Sequence, residues 1–402
     1  MATPNPKKNP AGHALNEREQ ALLDRVREFC ATDVLPNCEK WEQAEDLPRE
    51  IFSKAGQLGL LGITTPVELG GQGLSALAYA WIIREIGQHH AALALDIAAH
   101  NALCVGHILL AGSDAQKGRA IPRLVNGEWL GAWALTEATA GSDISGVQTT
   151  ATETKAGWEI SGTKIFITQG RRADILVVMA TTGTTAKGKK EISAFLVAKD
   201  QVKPIRKILT YGMKSSETSE IRFDQARGEL LGPRGQGQEH ALTILDRGRI
   251  GIAALALGIA QGALHAACRH ALGRTQFGKA LAEFQAIQWL LADSATELEA
   301  AELLTLRAAA MQDQGLKTPR ESAMAKLFAS EAADRICNRS MQIHGGAGYS
   351  REQPIERYLR DVKLCEIGEG TSQIQRLVIA RHVLNEAKAE GGPKGRQWQR
   401  HV

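Results

Sequence analysis

The spacing of apolar residues changes twice along this chain. Over about residues 16–126, and again from about residue 236, the sequence has the character of successive helices, with apolar residues recurring every three or four positions. Between about residues 129 and 228, short β-branched and apolar runs alternate with turn residues, which predicts strands. The sequence therefore predicts an α+β fold in the order helical, β, helical.

The same pattern predicts the domain boundaries and many of the elements. We expect an N-terminal helical domain over residues 1–128, a middle β-domain over 129–232, a C-terminal helical domain over 233–390 and a polar tail over 391–402. Predicted helices cover residues 48–58, 76–87, 91–110 and 114–125, and predicted strands cover 158–160, 164–168, 175–179 and 192–197. Asn16 with Glu19 predicts a capping box, and residues 318–321 (TPRE) predict a second helix start with a cap, a first-turn proline and a capping glutamate. A polar stretch at 181–190 predicts an exposed hairpin loop. One later helix face is formed by Phe284, Ile287, Leu291, Ala295, Leu298 and Ala301.

The composition excludes several classes of protein. With 402 residues, of which 44% are hydrophobic and 23% charged, the chain is expected to fold into two or three globular domains. A formal charge of +4 without a basic block argues against a nucleic-acid partner. The six cysteines form no CxxC pair, so we expect no metal site, and their scatter fits a reducing cytoplasm. We expect no membrane span and no secretory signal in residues 1–12.

Four segments carry residues suited to ligand binding, and each has an ordinary structural alternative. Residues 134–143 (ALTEATAGSD) suit a cofactor cradle or a plain strand-to-turn junction. In residues 164–170 (KIFITQG), strand alternation puts Lys164, Phe166 and Thr168 on one face, where Phe166 either stacks on a planar ring or fills the core. Residues 245–249 (LDRGR), placed at a helix start, and 274–278 (RTQFG) suit phosphate contacts or solvated helix ends. The glycine-rich residues 342–349 (QIHGGAGY) suit a phosphate-binding turn, although a lone glycine-rich loop is weak support.

The fifth segment contains the candidate catalytic residue. Glu369 stands between Gly368 and Gly370, just ahead of a helix, where flanking glycines let a substrate approach its carboxylate closely. An exposed loop glutamate is the alternative on these residues alone. Glu366 is the competing carboxylate, and we expect it to be solvated.

Taken together and in this order, the five segments resemble the acyl-CoA dehydrogenase family over residues 16–385. The hallmarks are residues 135–137 with 141–143, the glycine turn at 342–349 and residues 369–371, while residues 246–261 and 321–332 are most similar to short-chain, branched-chain and related bacterial members. The resemblance implies a helical N-terminal domain, a central β-barrel and a C-terminal four-helix bundle. It also implies FAD held between the subunits of a homotetramer, a dimer of dimers.

The resemblance further implies a role for individual residues. Glu369 would remove the α-proton of an acyl-CoA thioester, giving a trans-2-enoyl-CoA, with FAD as hydride acceptor and an electron-transfer flavoprotein as the next electron carrier. Cofactor contacts are implied for Trp133, Leu135, Thr136, Ser142, Phe166, Thr168, Arg274, Gln276, Phe277, Gln342, Gly346, Thr371 and Gln373, with the ADP half reached largely across a dimer interface. Substrate contacts are implied for Ser142, Asp246, Arg249, Ala99, Gly368 and Gly370.

Three positions depart from the family pattern. Phe166 stands where members often have Trp, which implies weaker stacking on the flavin. Gly368 stands where short- and medium-chain members usually have Tyr. Gly248 occupies the position from which a few relatives supply the base, and glycine cannot do so, which favours Glu369.

These departures lead to an expectation about the acyl group. With Ala94, Ala98 and Ala99 on the pocket floor, the small Gly248 and Gly368 predict a wide pocket. We therefore expect a short, branched, alicyclic or aromatic acyl group to be used better than a long straight chain. An acyl-CoA oxidase, usually a much longer chain, and a non-catalytic flavoprotein-fold binding protein are the alternative functions.

Overall fold

The structure is a computed structural model that describes residues 14–389, so the expected polar tail at 391–402 and residues 1–12, where no signal is expected, lie outside the described residues. Within this range the N-terminal domain consists of α1 (Glu17–Phe29), α2 (Cys38–Ala44), α3 (Arg49–Gln57), α4 (Ala76–His89), α5 (Ala91–Ala98), α6 (Gly106–Ala111) and α7 (Asp114–Val125). The predicted capping box is confirmed: Asn16 accepts from the N–H of Glu19, whose carboxylate accepts from the N–H of Asn16. A π-helical turn, Ala99–Val105, joins α5 to α6 and packs against both the barrel and the C-terminal domain.

The middle domain is a β-barrel. Its strands are β1 (Gly131–Ala134), β2 (Thr150–Thr154), β3 (Gly157–Thr168), β4 (Ile175–Thr184), β5 (Lys190–Ala198), β6 (Lys203–Lys207) and β7 (Thr218–Leu231). Strands β4, β2, β3, β7 and β5 pair in that order, and β5 pairs back with β4, which closes the ring. Outside the ring, β1 runs parallel to β4 and β6 pairs with β7.

Strand β4 is buried on both faces, which explains its unbroken apolar run. Leu176 and Val178 belong to the cluster inside the barrel, whereas Val177 and Met179 pack with residues of α6 and α7. Side chains alternate between the two faces of a strand, so one strand contributes to both cores.

The C-terminal domain is a helical bundle. It contains α8 (Gly237–Gly273), α9 (Gln285–Asp313), α10 (Pro319–His344), α11 (Ile355–Ile367) and α12 (Ser372–Ala389), with the short hairpin β8 (Thr275–Gln276) and β9 (Lys279–Ala280) after α8. Helices α8–α11 form the expected four-helix arrangement, and α12 packs on α10. Helix α8 lies at the centre because it also packs against α4.

Several predicted details are corrected. The two runs at 158–160 and 164–168 form the single strand β3, and the hairpin loop is shorter than expected because β4 and β5 extend to Thr184 and from Lys190. Helix α8 begins at Gly237, nine residues before Asp246, because the helical spacing already holds through the polar residues that precede the apolar run. Helix α10 does begin at a proline, but Thr318 makes no side-chain cap.

Two stretches of residues 14–389, Ala91–Ala111 and Gly237–Gly273, have the length and hydropathy of a membrane-spanning helix. Both are mostly buried inside the protein, as core helices are. In the described part of the chain, no group of three or more His, Cys, Asp or Glu is placed to hold a metal ion. The proposed boundaries at 128/129 and 232/233 fall in the connections from α7 to β1 and from β7 to α8.

Candidate active site

The loop between α11 and α12 holds Glu369 in an unusual backbone conformation. Gly368 is extended, with φ −66° and ψ 151°, and Gly370 has φ 93°, which glycine adopts without strain. Glu369 itself has φ 53°, a left-handed value that is uncommon for a residue with a side chain. Such a conformation persists only where the surrounding structure fixes it, and it is frequent at functional sites.

The carboxylate of Glu369 lies over Gly248 of α8. A Cβ atom placed on Gly248 would lie 2.0 Å from Oε2 of Glu369 and 3.4 Å from Cδ2 of Leu103. Any larger residue at position 248 would therefore displace the carboxylate. Glu369 as a whole is half-buried, but its Oε2 is inaccessible to water and has no hydrogen-bond partner among residues 14–389. One carboxylate oxygen is thus free to accept a proton.

Burial makes this carboxylate a stronger base than an ordinary glutamate. Desolvation raises the pKa of Glu369 from 4.5 to about 7, and the charges of Lys326 and Arg249 only partly oppose this. A pKa near neutral leaves a large fraction ionised at neutral pH and increases the driving force for taking a proton.

Lys326 and Gln375, which the sequence did not point to, donate hydrogen bonds to the backbone of the loop that carries Glu369. The Nζ atom of Lys326, buried on α10, donates to the carbonyl oxygen of Gly370 over 2.7 Å. The Nε2 atom of Gln375 donates to the same oxygen over 2.8 Å. Burial lowers the pKa of Lys326 to about 8, while the nearby Cys365 and Glu369 act in the opposite direction.

A third residue that sequence reasoning missed is Tyr79 of α4. Its hydroxyl is buried without a hydrogen-bond partner in the described part of the chain, and it lies 2.5 Å from a Cβ atom placed on Gly251. Gly251 is one turn beyond Gly248 on α8, so Tyr79 borders the same region as the carboxylate of Glu369.

The competing carboxylate is occupied. Glu366 accepts a hydrogen bond from Nζ of Lys363 over 2.9 Å, on the outer side of α11. Glu366 therefore has a partner, whereas the Oε2 atom of Glu369 has none among the described residues.

The ion pair of Asp246 and Arg249 lies beside Glu369. Arg249 is only 4% exposed and its Nη1 donates to Asp246, whereas Arg247 is exposed. Because α8 begins at Gly237, the pair lies more than two turns inside the helix, where no N-terminal amide is free for phosphate. The expectation of a helix-start phosphate site here is therefore wrong.

The remaining residues expected at the substrate differ in exposure. Ala99, Gly368 and Gly370 are half-buried, and Ser142 is exposed on the loop after β1. Ala94 and Ala98 are fully buried on α5, which packs against both α4 and α8. The wide pocket expected from these small residues stays a prediction.

The segment after β1 is braced by a buried ion pair. Nζ of Lys164 donates to Glu137 over 2.7 Å and to the carbonyl oxygen of Leu135 over 3.0 Å. Glu137 also accepts from two backbone N–H groups, and the side chain of Leu135 lies in a hydrophobic cluster. Glu137 and Leu135 therefore fix the backbone, which leaves Thr136 half-exposed beside them.

A β-bulge turns Phe166 away from the core. The pairing of β3 with β7 shifts register between Lys164 and Ile167, and Phe166 has a left-handed backbone with φ 59°. Lys164 is consequently buried while Phe166 is 59% exposed, so the prediction that they share a face with Thr168 is wrong. The extra residue of a bulge interrupts the alternation on which that prediction rested.

The residues around this bulge fit a planar, hydrogen-bonding ring. The N–H of Ile165 donates to the carbonyl oxygen of Thr136 over 2.9 Å, which places Thr136 beside Phe166. The hydroxyls of Thr136 and Thr168 make no hydrogen bond within residues 14–389, and Trp133 is half-exposed with its Nε1 donating to His107. An exposed aromatic ring with free hydroxyls is the donor set that a flavin ring would use.

The residues expected to hold the ADP half lie at the opposite end of the bundle. The rings of His270 on α8 and His344 on α10 stack with centroids 4.4 Å apart, which joins the two loops that follow these helices. The four residues expected at the ADP half are exposed, namely Arg274, Phe277, Gln342 and Gly346, and so is the cofactor-binding candidate Gln276. From Gly248 to Gly273 α8 rises by about 38 Å, so these residues cannot reach a group bound beside Glu369 of the same chain.

The residues expected after Glu369 have mixed positions. The Oγ1 atom of Thr371 accepts from the N–H of Ile374 over 3.3 Å and so caps α12, and Gln373 is exposed. Thr371 therefore has a structural role in addition to the cofactor contact expected for it.

Comparison with known proteins shows the family to which this chain belongs. Family models described as the N-terminal, middle and C-terminal domains of acyl-CoA dehydrogenase match residues 16–128, 132–226 and 235–384. An acyl-CoA dehydrogenase of Bacillus subtilis is 41% identical over 376 residues, covering 91% of this chain and 98% of the relative. The mitochondrial short-chain specific acyl-CoA dehydrogenase of Rattus norvegicus is 42% identical over 380 residues, covering 93% and 92%.

Matches to solved structures support the same family assignment. Butyryl-CoA dehydrogenase from Megasphaera elsdenii matches with a TM-score of 0.89 and 36% identity, over 92% of this chain and 99% of that chain. A chain from a structure of the electron transferring flavoprotein of Acidaminococcus fermentans matches with a TM-score of 0.89 and 37% identity, over 92% and 98%. A glutaryl-CoA dehydrogenase from Mycobacterium smegmatis in complex with FADH2 matches with a TM-score of 0.88 and 28% identity, over 94% and 97%. The chain therefore belongs to the acyl-CoA dehydrogenase family of flavoprotein oxidoreductases.

Proposed function

We propose that this enzyme dehydrogenates a short acyl-CoA thioester between Cα and Cβ, with Glu369 as the base, and gives a trans-2-enoyl-CoA. The observation that carries the proposal is the Oε2 atom of Glu369, which is buried, has no partner in the described residues and belongs to a carboxylate with a pKa of about 7. A base of this kind can take the weakly acidic α-proton at neutral pH.

The backbone of the same loop supplies a second function. The N–H of Glu369 donates no hydrogen bond within residues 14–389, and it lies next to the carboxylate that takes the proton. As the α-proton leaves, negative charge develops on the thioester oxygen, and a fixed N–H aimed at that oxygen stabilises the charge. Bound FAD would accept the hydride from Cβ, which is chemistry that no side chain can supply.

The cofactor proposal assigns FAD to two subunits. Trp133, Thr136, Phe166 and Thr168 would hold the flavin ring near Glu369, while Arg274 and Phe277 would hold the ADP half of a neighbour's FAD. The span of about 38 Å along α8 supports this division, because it separates Arg274 and Phe277 from Glu369 of the same chain. The assembly we propose is a homotetramer, a dimer of dimers.

For the acyl group, a short chain is supported best. The ring of Tyr79 takes up volume beside Glu369, and two of the matched proteins are named for short-chain and butyryl-CoA substrates. A branched or ring-bearing short acyl group is the second candidate, supported by the half-buried Ala99 and Gly368 next to the base.

The electron acceptor we propose is an electron-transfer flavoprotein rather than oxygen. The names of the matched dehydrogenases and the match to a chain from an electron transferring flavoprotein structure support it over an oxidase. All six cysteines are unpaired, which supports a reducing cytoplasm.

The test is reduction of the bound flavin by butyryl-CoA without oxygen. Glu369→Gln should keep the fold and the yellow colour but slow flavin bleaching by at least about 10²–10⁴, the usual effect of losing a general base. Glu366→Gln, which removes the other carboxylate of this region, should bleach at the wild-type rate. Near wild-type bleaching by Glu369→Gln would show that another residue is the base.

A further inference from the structure

We propose that Tyr79 is a specificity-determining residue that selects acyl groups carrying a neutral oxygen on the γ carbon. This inference rests on the proposed function, because Glu369 fixes where the α carbon of the substrate lies. The occupant is an acyl chain with an ether, keto or hydroxyl oxygen at that position.

The hydroxyl of Tyr79 is a buried polar group without a partner. Tyr79 is 6% exposed, its hydroxyl oxygen is inaccessible to water, and no described residue accepts or donates a hydrogen bond there. The other buried tyrosine, Tyr358, donates to the carbonyl oxygen of Gln88 over 2.7 Å. A buried hydroxyl left unpaired costs about 1–3 kcal/mol, so a ligand atom that satisfies it gains affinity.

The hydroxyl also faces the region of the base. It packs on Gly251, while the carboxylate of Glu369 packs on Gly248, so both groups lie on one face of α8. The negative charge of Glu369 contributes, after desolvation, to raising the pKa of Tyr79, which places the two groups within electrostatic range.

The spacing of the two glycines sets the position of the oxygen. Side-chain positions three residues apart on a helix are about 5–6 Å from each other. An oxygen on the γ carbon is three bonds from the α carbon, and three bonds of an extended chain cover about 3.8 Å. With the α carbon beside Glu369 and the chain parallel to α8, a γ oxygen comes within hydrogen-bond reach of Tyr79.

The selected oxygen is neutral. Desolvation raises the pKa of Tyr79, so the phenol stays a neutral donor. A carboxylate at the same place would lie near the carboxylate of Glu369, and Arg249, the buried arginine that acts on Glu369, is already paired with Asp246. Like charges in a buried site repel strongly, so a second carboxylate is disfavoured.

The test compares two esters of equal length on the holoenzyme. In 4-methoxybutyryl-CoA an ether oxygen attached to the γ carbon replaces the δ CH2 group of hexanoyl-CoA. We expect the ratio of kcat/KM for the ether over hexanoyl-CoA to fall about 3- to 10-fold in Tyr79→Phe, the effect of one neutral hydrogen bond. The electronic effect of the oxygen on the chemistry is the same in both enzymes and cancels in the ratio.

Tyr358→Phe is the matched control, because it also removes a buried phenol hydroxyl that packs on α8, at Gly262. Its ratio should equal the wild-type ratio. An unchanged ratio in Tyr79→Phe, with flavin reduction by butyryl-CoA intact, overturns the role of Tyr79 alone. If butyryl-CoA and both longer esters fail to reduce the wild-type flavin, the proposed function fails with it.

Discussion

At the scale of single residues, the strength of Glu369 as the proposed base depends on two opposing effects. Desolvation raises the pKa of Glu369 to about 7, and the buried Lys326 and Arg249 limit the rise. Lys326 also donates to the carbonyl oxygen of Gly370. One side chain therefore both positions the loop and lowers the pKa of Glu369. Its effect on the pKa can be separated from its effect on geometry by substitution.

We predict that Lys326→Met raises the pKa of Glu369, because it removes a cation that favours the carboxylate. The acidic limb of the pH profile of kcat/KM, which reports the free enzyme, should move to higher pH. Lys326→Gln should give a similar shift while restoring part of kcat, since an amide can still donate to Gly370. Lys363→Met, which removes a cation from the outer side of α11, should leave the limb unchanged. A limb that stays in place in both Lys326 variants would exclude this electrostatic role.

The raised pKa of Glu369 also predicts a pH-dependent cost in stability. A carboxyl group with a higher pKa folded than unfolded loses favourable free energy as the pH rises from 4.5 to about 7. Glu369→Gln should therefore be more stable than the wild type at pH 8, by up to about 3 kcal/mol. The difference should vanish below pH 4.5, and Glu366→Gln should show no such trend. Urea unfolding of the FAD-loaded proteins at pH 8 and below pH 4.5 measures the difference in stability between variant and wild type. An equal difference at the two pH values would contradict the prediction.

At the scale of elements, the active site depends on how closely α4 and α8 approach. A Cβ atom on Gly258 would lie 2.4 Å from the carbonyl oxygen of Arg84 and 2.8 Å from the backbone nitrogen of Gln88. Both contacts are with backbone atoms of α4, which cannot rotate away. The same helix α4 carries Tyr79, so the spacing of the two helices sets the position of its hydroxyl.

We predict that Gly258→Ala destabilises the protein by about 3 kcal/mol, at the upper end of the cost of overpacking a core. The helices must separate, so KM for acyl-CoA should also rise. Gly118→Ala on α7 is the matched control, because a Cβ atom there meets nothing within 4 Å. It should stabilise the protein by about 0.5–1 kcal/mol. Urea unfolding with steady-state kinetics tests both, and equal stability of Gly258→Ala and the wild type would contradict the close-packing argument.

The elements also show which parts of the fold local sequence patterns predict. Helix α7 was predicted over its full observed range, because Ser113 caps it locally and its apolar spacing is regular. The bulge at Phe166 was missed because it arises from the pairing of β3 with β7. No short sequence pattern within the strand predicts it. Lys326 lies 44 residues from the carbonyl oxygen that it contacts, so only the fold brings the two together. Glu369 is predicted as the base from the glycines beside it and the family motif, both of which are local.

At the scale of the whole molecule, the C-terminal domain leaves apolar surface uncovered. Large side chains more than half exposed include Trp289 on α9 and Leu377, Val383 and Leu384 on α12. On the helix face predicted for α9, Leu298 and Ala301 are buried and Ala295 is exposed. The earlier residues of this face are half-buried, namely Phe284, Ile287 and Leu291. Apolar surface of this extent marks an interaction site, and another copy of the chain is the occupant that the proposed tetramer supplies.

We predict that cofactor retention depends on this assembly. Arg274 and Gln342 lie at the far end of the bundle from Glu369, so in the proposed assembly they would serve a cofactor bound mainly by a neighbouring subunit. Arg274→Ala should lower the FAD content after gel filtration while unfolding as the wild type does, because Arg274 is exposed. A charge in the uncovered surface, Trp289→Lys, should reduce both the molar mass in light scattering and the FAD content. Val67→Lys, a charge at an exposed apolar residue of the N-terminal domain, should change neither. A wild-type monomer that carries a full complement of FAD would refute both the assembly and the division of the cofactor between subunits.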